Sequence, residues 1–274
     1  MNSLTWKRRI AQCYLPFTKT DLSRNIILIY HAVGRSPLAI SEITFRQQMA
    51  WLSRHCHIVT INDLFNSKNE YDKTAVAITF DDGYACLHDT VAPILQDYHA
   101  SATVYLNTGW ISEKGNTHKN SDANLGHYPN ETFLNWREVK TLQQNGWEIG
   151  SHGVDHIDLT TQTEVTIQDE LIRSKNTIET ILNSSCKHFA YTWGRYNLLL
   201  QKKVREAKYC SAVSAIHGTI SFKKNVFSLP RMNVALEYDM SDFIAMIDGR
   251  WDYLQYIQLL KKKLNKIPFC VIGN

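Results

Sequence analysis

The stretch AVAITFDDGY, residues 75–84, decides how this chain is organised. A run of mostly apolar, partly β-branched residues leads into two adjacent carboxylates and a glycine, which predicts a buried strand with an acidic, turning end. Neighbouring side chains of a strand point to opposite faces, so Asp81 and Asp82 can meet one reacting centre only if the chain leaves the strand there. Gly83 permits such a turn. A turn in which the two acids only cap the following helix is the alternative.

The same design recurs along the chain. NIILIYHAVG (25–34) is a predicted strand that ends in His31, and after Gly83 a predicted helix leads to the strand SATVYLN (101–107). Strand, helix and strand at this spacing form the βαβ unit of a parallel sheet. We therefore predict an α/β fold, a distorted (β/α) barrel of seven or eight strands. The other predicted strands are WEIGS (147–151), HFAY (188–191), YCSAVSA (209–215) and SLPRMNV (228–234).

One barrel accounts for most of the 274 residues. We find no internal repeat, low-complexity tract or linker, and predict an N-terminal segment (1–24) followed by a single domain (25–274). The polar residues 109–130 lack periodicity and predict a long loop over one end of the barrel. Asn135 followed by Glu138 predicts a capped helix start.

The composition is that of an ordinary globular protein. A formal charge of +4, spread along the chain, gives no support for a nucleic-acid partner. The six cysteines form no C-x-x-C pair, which predicts free thiols in a reducing compartment.

The N-terminal residues predict a cytoplasmic protein. They are basic but lack the apolar run of about 7–15 residues that a secretion signal needs. We expect an ordinary packed first helix. The alternative is an amphipathic contact with the inner membrane through Trp6, Ile10, Tyr14 and Phe17 beside the basic residues 7–9.

Polar groups follow four of the predicted strands. They are His31, the Asp81–Asp82 pair, the pair His152 and His156, and the turn 193–195. Because the carboxyl ends of the strands of a parallel barrel open onto one face, we expect these groups to converge.

Two imidazoles and one carboxylate are a common zinc-type ligand set with an open position. We predict a metal site of His152, His156 and one of the two aspartates. The other aspartate is then available as general base, and His31 as the acid that an amide nitrogen needs to leave. The alternative is that Asp155 or Asp158 pairs with a histidine at the surface.

TFDDGY (79–84) together with SHGVDHIDL (151–159) resembles the first two motifs of the NodB-homology polysaccharide deacetylases, carbohydrate esterase family 4. The resemblance extends from about residue 25 to residue 231. It implies that Asp81 is the general base and that a divalent ion, usually zinc, is held by Asp82, His152 and His156. It also implies a barrel that removes N-acetyl groups from an amino sugar.

Many members of that family carry the catalytic acid in a C-terminal Leu-x-His motif, which this chain lacks. YHAVG (30–34) instead resembles the N-terminal motif of the circularly permuted branch, which includes the poly-N-acetylglucosamine deacetylases. This resemblance implies that His31 is the acid.

FAYTWGRYN (189–197) looks like the third motif of the family with two departures. Thr192 stands where proline is expected, and Ala190 where many members have an arginine that orients the base. Arg231 is our candidate for the missing guanidinium, with an ordinary surface salt bridge as the alternative. The flat ring of Trp193 suits a sugar, although it could also pack in the core. The predicted substrate-binding residues are Tyr191, Trp193 and Arg231.

These features predict a metal-dependent hydrolase that removes N-acetyl groups from an amino sugar. The substrate is a polysaccharide, or a lipid-linked or nucleotide-linked precursor of a surface polysaccharide. A deformylase or deacylase of a small amide is one alternative. A non-catalytic carbohydrate-binding descendant is another, and the presence of all five central residues speaks against it.

Overall fold

A computed structural model describes residues 3–13, 24–36, 39–66, 71–113, 116–117, 131–221 and 225–265. Most of the loop predicted at 109–130 lies outside the described residues. At its start Thr108–Trp110 forms a short 3-10 turn, and Asn116–Thr117 forms a two-residue strand.

A curled parallel sheet of eight strands forms the centre of the molecule, as predicted. The strands of the described residues are β1 (Asn25–Tyr30), β2 (Ala32–Val33), β3 (Ala39–Ile40), β4 (His57–Val59), β5 (Ala75–Phe80), β6 (Thr103–Leu106), β7 (Asn116–Thr117), β8 (Thr132–Phe133), β9 (Glu148–Ser151), β10 (His188–Ala190), β11 (Ser211–Val213) and β12 (Met232–Asn233). The order of the central sheet is β11-β10-β9-β6-β5-β1-β12, and β4 pairs with the first half of β5. Two further pairs, β2 with β3 and β7 with β8, stand apart from it.

Helices follow most of the strands and cover the outside of the sheet. The start of α5 (Trp136–Gln144) has the predicted capping box, in which the side chains of Asn135 and Glu138 each accept the other's backbone N–H. A π-helical turn, Leu87–Val91, precedes α4 (Ala92–Gln96). The helices are α1 (Ser3–Cys13), α2 (Glu42–His55), α3 (Ile61–Asn66), α4 (Ala92–Gln96), α5 (Trp136–Gln144), α6 (Glu164–Leu182), α7 (Leu198–Glu206), α8 (Met240–Ile247) and α9 (Tyr253–Asn265).

The segment around β12 joins the two edges of the curled sheet. On one side the Leu229 N–H donates to the Ala212 carbonyl, and on the other the Val234 N–H donates to the Ile29 carbonyl. Arg231 lies between these two bonds with its side chain fully buried. This closure of the sheet therefore places the Arg231 guanidinium in the interior of the barrel.

The interior of the barrel changes from apolar to polar along the strands. Every residue of β5 is buried, as expected for a parallel strand covered on both faces. Alternate residues Ala75 and Ala77 pack in an inner cluster with Ile61 of α3, while Thr79 and Asp81 continue the same series toward the carboxyl end. The polar residues are thus collected at one end of the barrel.

The remaining predictions concern the cysteines, membrane-spanning helices, the domain boundary and the location of the protein. The five cysteines in the described segments are free thiols. No helix within those segments has the length and apolar character needed to cross a membrane. The domain boundary at residue 24 and the cytoplasmic location stay predictions.

Candidate metal centre

Asp82, His152 and His156 meet at the carboxyl end of the barrel. One oxygen or nitrogen atom from each lies within 4.8 Å of the others, and all three side chains are buried. Asp82 Oδ1 is 3.7 Å from His152 Nε2 and 3.4 Å from His156 Nε2. Ligand atoms about 2.0–2.1 Å from a tetrahedral zinc ion stand about 3.3 Å apart. The three groups therefore fit a divalent cation in spacing and in chemistry.

A sharp backbone turn brings the two aspartates to the same centre. Asp81 follows the inward alternation of β5, whereas Asp82 and Gly83 adopt left-handed conformations with φ of 72° and 79°. A left-handed φ is rare for a residue with a side chain and is typical of functional sites. The turn redirects the side chain of Asp82, so that the carboxylates of Asp81 and Asp82 face the same centre.

His152 is held in the tautomer that a metal ligand requires. Its Nδ1 lies 2.8 Å from the Ala190 carbonyl oxygen, which can only accept, so Nδ1 carries the proton. The Nε2 lone pair is then directed at Asp82 and His156. Burial lowers the pKa of His152, which favours the neutral imidazole.

His156 is placed by strain and by aromatic contacts. Its φ of 54° is left-handed, and its ring centroid lies 5.3 Å from that of Trp110 and 4.8 Å from that of Trp193. The two indole rings limit the positions that the imidazole can take.

Glu170 of α6 supports the loop between the two histidines. Its buried carboxylate accepts the backbone N–H of Val154 at 2.7 Å and of Asp155 at 3.4 Å. Gly153 approaches so closely that a Cβ there would lie 2.9 Å from Glu170 Oε2. The sequence reasoning missed Glu170, because its position on the inward face of a helix resembles that of any core residue.

Asn107 is a second residue that the sequence reasoning missed. It follows β6, and its Nδ2 donates to Asp82 Oδ1 at 3.1 Å. The rule that identified His31 and Asp81, a polar residue at the end of a strand, applies equally to Asn107.

Burial raises the pKa of Asp82, while the charges of His152 and His31 act against that shift.

Arg231 forms a buried, two-pronged ion pair with Asp81. Nη1 donates to Oδ1 and Nη2 to Oδ2, both at 2.7 Å, and Nη1 also donates to Thr79 Oγ1. Burial alone would raise the pKa of Asp81, but the charge and hydrogen bonds of Arg231, together with the charges of His152 and His31, outweigh burial and lower the pKa to about 2. Arg231 thus contacts Asp81, the predicted base, in the way expected of the missing family arginine.

Two of the predicted substrate-binding residues lie where no sugar can reach them. Arg231 is fully buried, so its assignment as a substrate-binding residue is wrong, and so is the alternative of a surface salt bridge. Tyr191 is also fully buried, and its hydroxyl donates to the Phe227 carbonyl at 2.8 Å. The reason is that residues at strand ends can face the core as well as the open end.

Trp193 and His31 lie at the partly exposed edge of the centre. Trp193 has a left-handed φ of 50°, and the Arg195 guanidinium lies over its ring at 5.3 Å. The charge of His31 contributes to the lowered pKa of Asp81 and opposes the rise in the pKa of Asp82, so His31 lies near both carboxylates. The roles of Trp193 as a sugar platform and of His31 as an acid stay predictions.

The alternative partners for the histidines are engaged elsewhere. Asp158 forms an ion pair with Arg195, and Asp155 lies 3.7 Å from Arg173. The ion pairs that the described residues show for these two acids are therefore with arginines, and not with a histidine at the surface.

The barrel and its polar end belong to a known class of protein. A family model described as polysaccharide deacetylase matches residues 68–212, more than half of the chain. The chain belongs to this family of hydrolases, as the motifs predicted. His31 and Arg231 fall outside the matched residues.

Relatives of known name span most of the chain. YxkH of Bacillus subtilis is 25% identical over 228 residues, which cover 81% of this chain and 76% of the relative. The poly-beta-1,6-N-acetyl-D-glucosamine N-deacetylase of Staphylococcus aureus is 23% identical over 256 residues, covering 89% of this chain and 82% of the relative.

Solved structures show the same fold. The deacetylase PplD of Streptococcus pyogenes, in complex with acetate, superimposes with a TM-score of 0.70 at 24% identity, covering 82% of this chain and 98% of that one. IcaB from Ammonifex degensii gives a TM-score of 0.66 at 16% identity, covering 83% of this chain and 97% of that one. These likenesses confirm the predicted barrel.

Proposed function

We propose that this chain removes acetyl groups from N-acetylated amino sugars of a glycan. The observation that carries the proposal is the buried group of Asp82, His152 and His156 with the Asp81–Arg231 pair beside it. The family match and the glycan named for the Staphylococcus aureus relative support the substrate class. The partly exposed Trp193 ring beside His156 favours a sugar over a small amide.

Asp82, His152 and His156 would hold a divalent ion, and zinc suits two imidazoles and one carboxylate. When bound, such an ion lowers the pKa of water toward about 7 and polarises a carbonyl oxygen. Asn107 orients Asp82 for this task, and the Ala190 carbonyl orients His152. Such outer contacts keep the ligand atoms in place before the ion binds.

Asp81 acts as the general base in this proposal. Its carboxylate retains lone pairs beyond the two that accept from Arg231, so it can take a proton from the attacking water. Arg231 prevents rotation of the carboxylate and keeps it ionised. A carboxylate with a pKa of about 2 is a weak base, so the water that it deprotonates must itself be acidified.

His31 acts as the general acid. The hydroxide equivalent adds to the acetyl carbon, the carbon–nitrogen bond breaks, and the amine nitrogen takes a proton from the imidazolium of His31. The products are acetate and the free amino sugar. The partial exposure of His31 supports this role, because a substrate can reach its ring.

The direct test is acetate release from N-acetylglucosamine oligomers. We expect release by the purified protein with zinc, loss of release after treatment with a chelator, and recovery when the ion is restored. Small N-acetyl and N-formyl amides serve as the comparison. Faster turnover of those amides would support the alternative deacylase, and glycan binding without acetate release would support the non-catalytic alternative.

The form of the substrate is a separate part of the proposal. We propose a polymeric glycan in preference to a lipid-linked or nucleotide-linked precursor, because a polymer is what the name of the Staphylococcus aureus relative specifies. Matched assays on oligomers of increasing length and on a nucleotide-linked N-acetylglucosamine separate these cases. A rate that rises with chain length supports the polymer.

Replacing Glu170 with leucine should weaken binding of the ion about 10–100-fold, because the histidine loop loses its acceptor. Glu170→Gln should bind nearly as tightly as the natural chain, since one amide oxygen can accept both N–H groups that Oε2 accepts. Competition with a chromophoric zinc chelator measures the affinity, and thermal unfolding of the metal-free proteins measures stability. Equal affinity of the leucine and natural proteins would remove Glu170 from the site.

A further inference from the structure

Exposed apolar side chains concentrate on two helices far apart in sequence. Twelve large apolar side chains are exposed in the described segments, and half of them lie on α1 and α9. Large exposed apolar groups that cluster mark an interaction surface, whereas single ones do not. The six residues are Trp6, Ile10, Tyr256, Ile257, Leu259 and Leu260.

Helix α1 is attached to the body by one face and presents the other outward. Leu4 and Ala11 are buried, and Arg8 Nε donates to the Asp242 carboxylate at 2.8 Å. Trp6 and Ile10 are four residues apart, so they share the face opposite Leu4 and Ala11. The helix is thus both packed, as the sequence predicts, and amphipathic.

Helix α9 begins against α1. The hydroxyl of the buried Tyr253 donates to the Lys7 carbonyl at 3.0 Å, which joins the two helices. Beyond this point Tyr256 is 67% exposed and Leu260 is 58% exposed, again four residues apart. An aromatic and aliphatic stripe therefore continues outward from the junction of the two helices.

The charges on these helices have one sign. Helix α1 carries Lys7, Arg8 and Arg9, helix α9 carries three lysines at 261–263, and neither helix contains an acidic residue. Arg8 is paired with Asp239 and Asp242 of the neighbouring helix start. Lys7 donates to the Tyr238 hydroxyl, whereas Lys261 of α9 is exposed. The exposed Lys261 and the net positive charge of the two helix sequences favour an anionic surface over the same face of a second copy of the chain.

We propose that α1 and α9 together dock this protein on an anionic membrane surface. Trp and Tyr favour the headgroup region, the aliphatic residues enter the acyl boundary, and the basic residues contact anionic headgroups. This surface is distinct from the catalytic centre. Asp252, just before α9, pairs with Arg24 at the amino end of β1, whereas His31 follows the other end of that strand, about 20 Å away.

Co-sedimentation with vesicles tests the proposal. We use the full chain with vesicles of phosphatidylcholine alone and of phosphatidylcholine with about one third phosphatidylglycerol. We expect binding to the anionic vesicles and loss of binding as salt is raised. The variant Trp6→Ser with Leu260→Ser should partition at least about tenfold less than the natural chain.

A matched control removes apolar side chains elsewhere. Val165 of α6 and Leu198 of α7 are 80% and 85% exposed, so Val165→Ser with Leu198→Ser deletes as much exposed apolar surface without touching α1 or α9. Equal loss in both double variants, or no binding of the natural chain to anionic vesicles, would overturn the proposal. A dimer that only the α1–α9 variant dissociates would assign the face to a second copy instead. Lack of acetate release would leave this test unaffected.

Discussion

Asparagine in place of Asp81 should lower acetate release about 10²–10⁴-fold, while the purified protein keeps its bound divalent ion. The amide is nearly the same size as the carboxylate but cannot take a proton from water at neutral pH. The three groups that would hold the ion remain, because Asp82, His152 and His156 are unchanged. Acetate release under saturating substrate and elemental analysis of the same preparation measure the two quantities.

Asp155→Asn is the matched control. This substitution also removes a carboxylate from the loop between the two histidines. The Asp155 side chain is more than half exposed and lies near Arg173, away from the metal centre. We expect this variant to release acetate and to bind metal as the unsubstituted protein does. Loss of metal from the Asp81 variant would mean that Asp81 is a ligand, and full activity of that variant would assign the base to another residue.

Methionine in place of Arg231 should lower the free energy of unfolding by about 3–5 kcal/mol. The substitution leaves the Asp81 carboxylate buried without its cation, and Thr79 Oγ1 and the Ser214 carbonyl each lose a donor. Acetate release should fall as well, because the base is no longer oriented. Urea unfolding of the metal-free proteins at pH 7 gives the free energies.

A double-mutant cycle separates the ion pair from the packing of the arginine. Asp81→Asn with Arg231→Met removes both charges, so we expect it to cost less than the sum of the two single changes. Additive costs would show that the pair itself contributes little.

The pH dependence of this stabilisation follows from the direction of the pKa shift. The pKa of Asp81 is lowered from 3.8 to about 2 in the folded protein, so the unfolded chain binds the proton more readily. The contribution is therefore fully present above about pH 4 and is lost as the pH falls toward 2. The urea measurements at pH 7 lie within the range where the pair is intact.

Much of the centre could be predicted because its residues lie at strand ends. The motif at 79–84 and the pair His152 and His156 each follow an apolar strand, and a parallel barrel brings all such ends to one face. Asn107 obeys the same rule and was missed only because a single amide carries less chemical information than paired acids or histidines.

The wrong assignment of Tyr191 and the failure to find Glu170 have a common physical cause. Tyr191 follows a strand in a motif like that of the family, but its ring turns into the core and its hydroxyl bonds to Phe227. Val154 and Asp155 depend on a carboxylate of α6, whose inward position in the sequence resembles that of an ordinary core residue. Local pattern shows which face of an element is buried, and it does not show which distant group the element meets.

Strand periodicity and strand polarity are local properties, so the sequence by itself determined the parallel barrel and the convergence of His152 and His156 with one of the two aspartates. The family and the choice of Asp82 came from the resemblance of its motifs. Only the tertiary structure decided that Arg231 is the partner of Asp81 and that α9 begins against α1. Each of these pairings joins residues at least 150 positions apart, and depends on how β12 closes the sheet and how the last helix returns to the first.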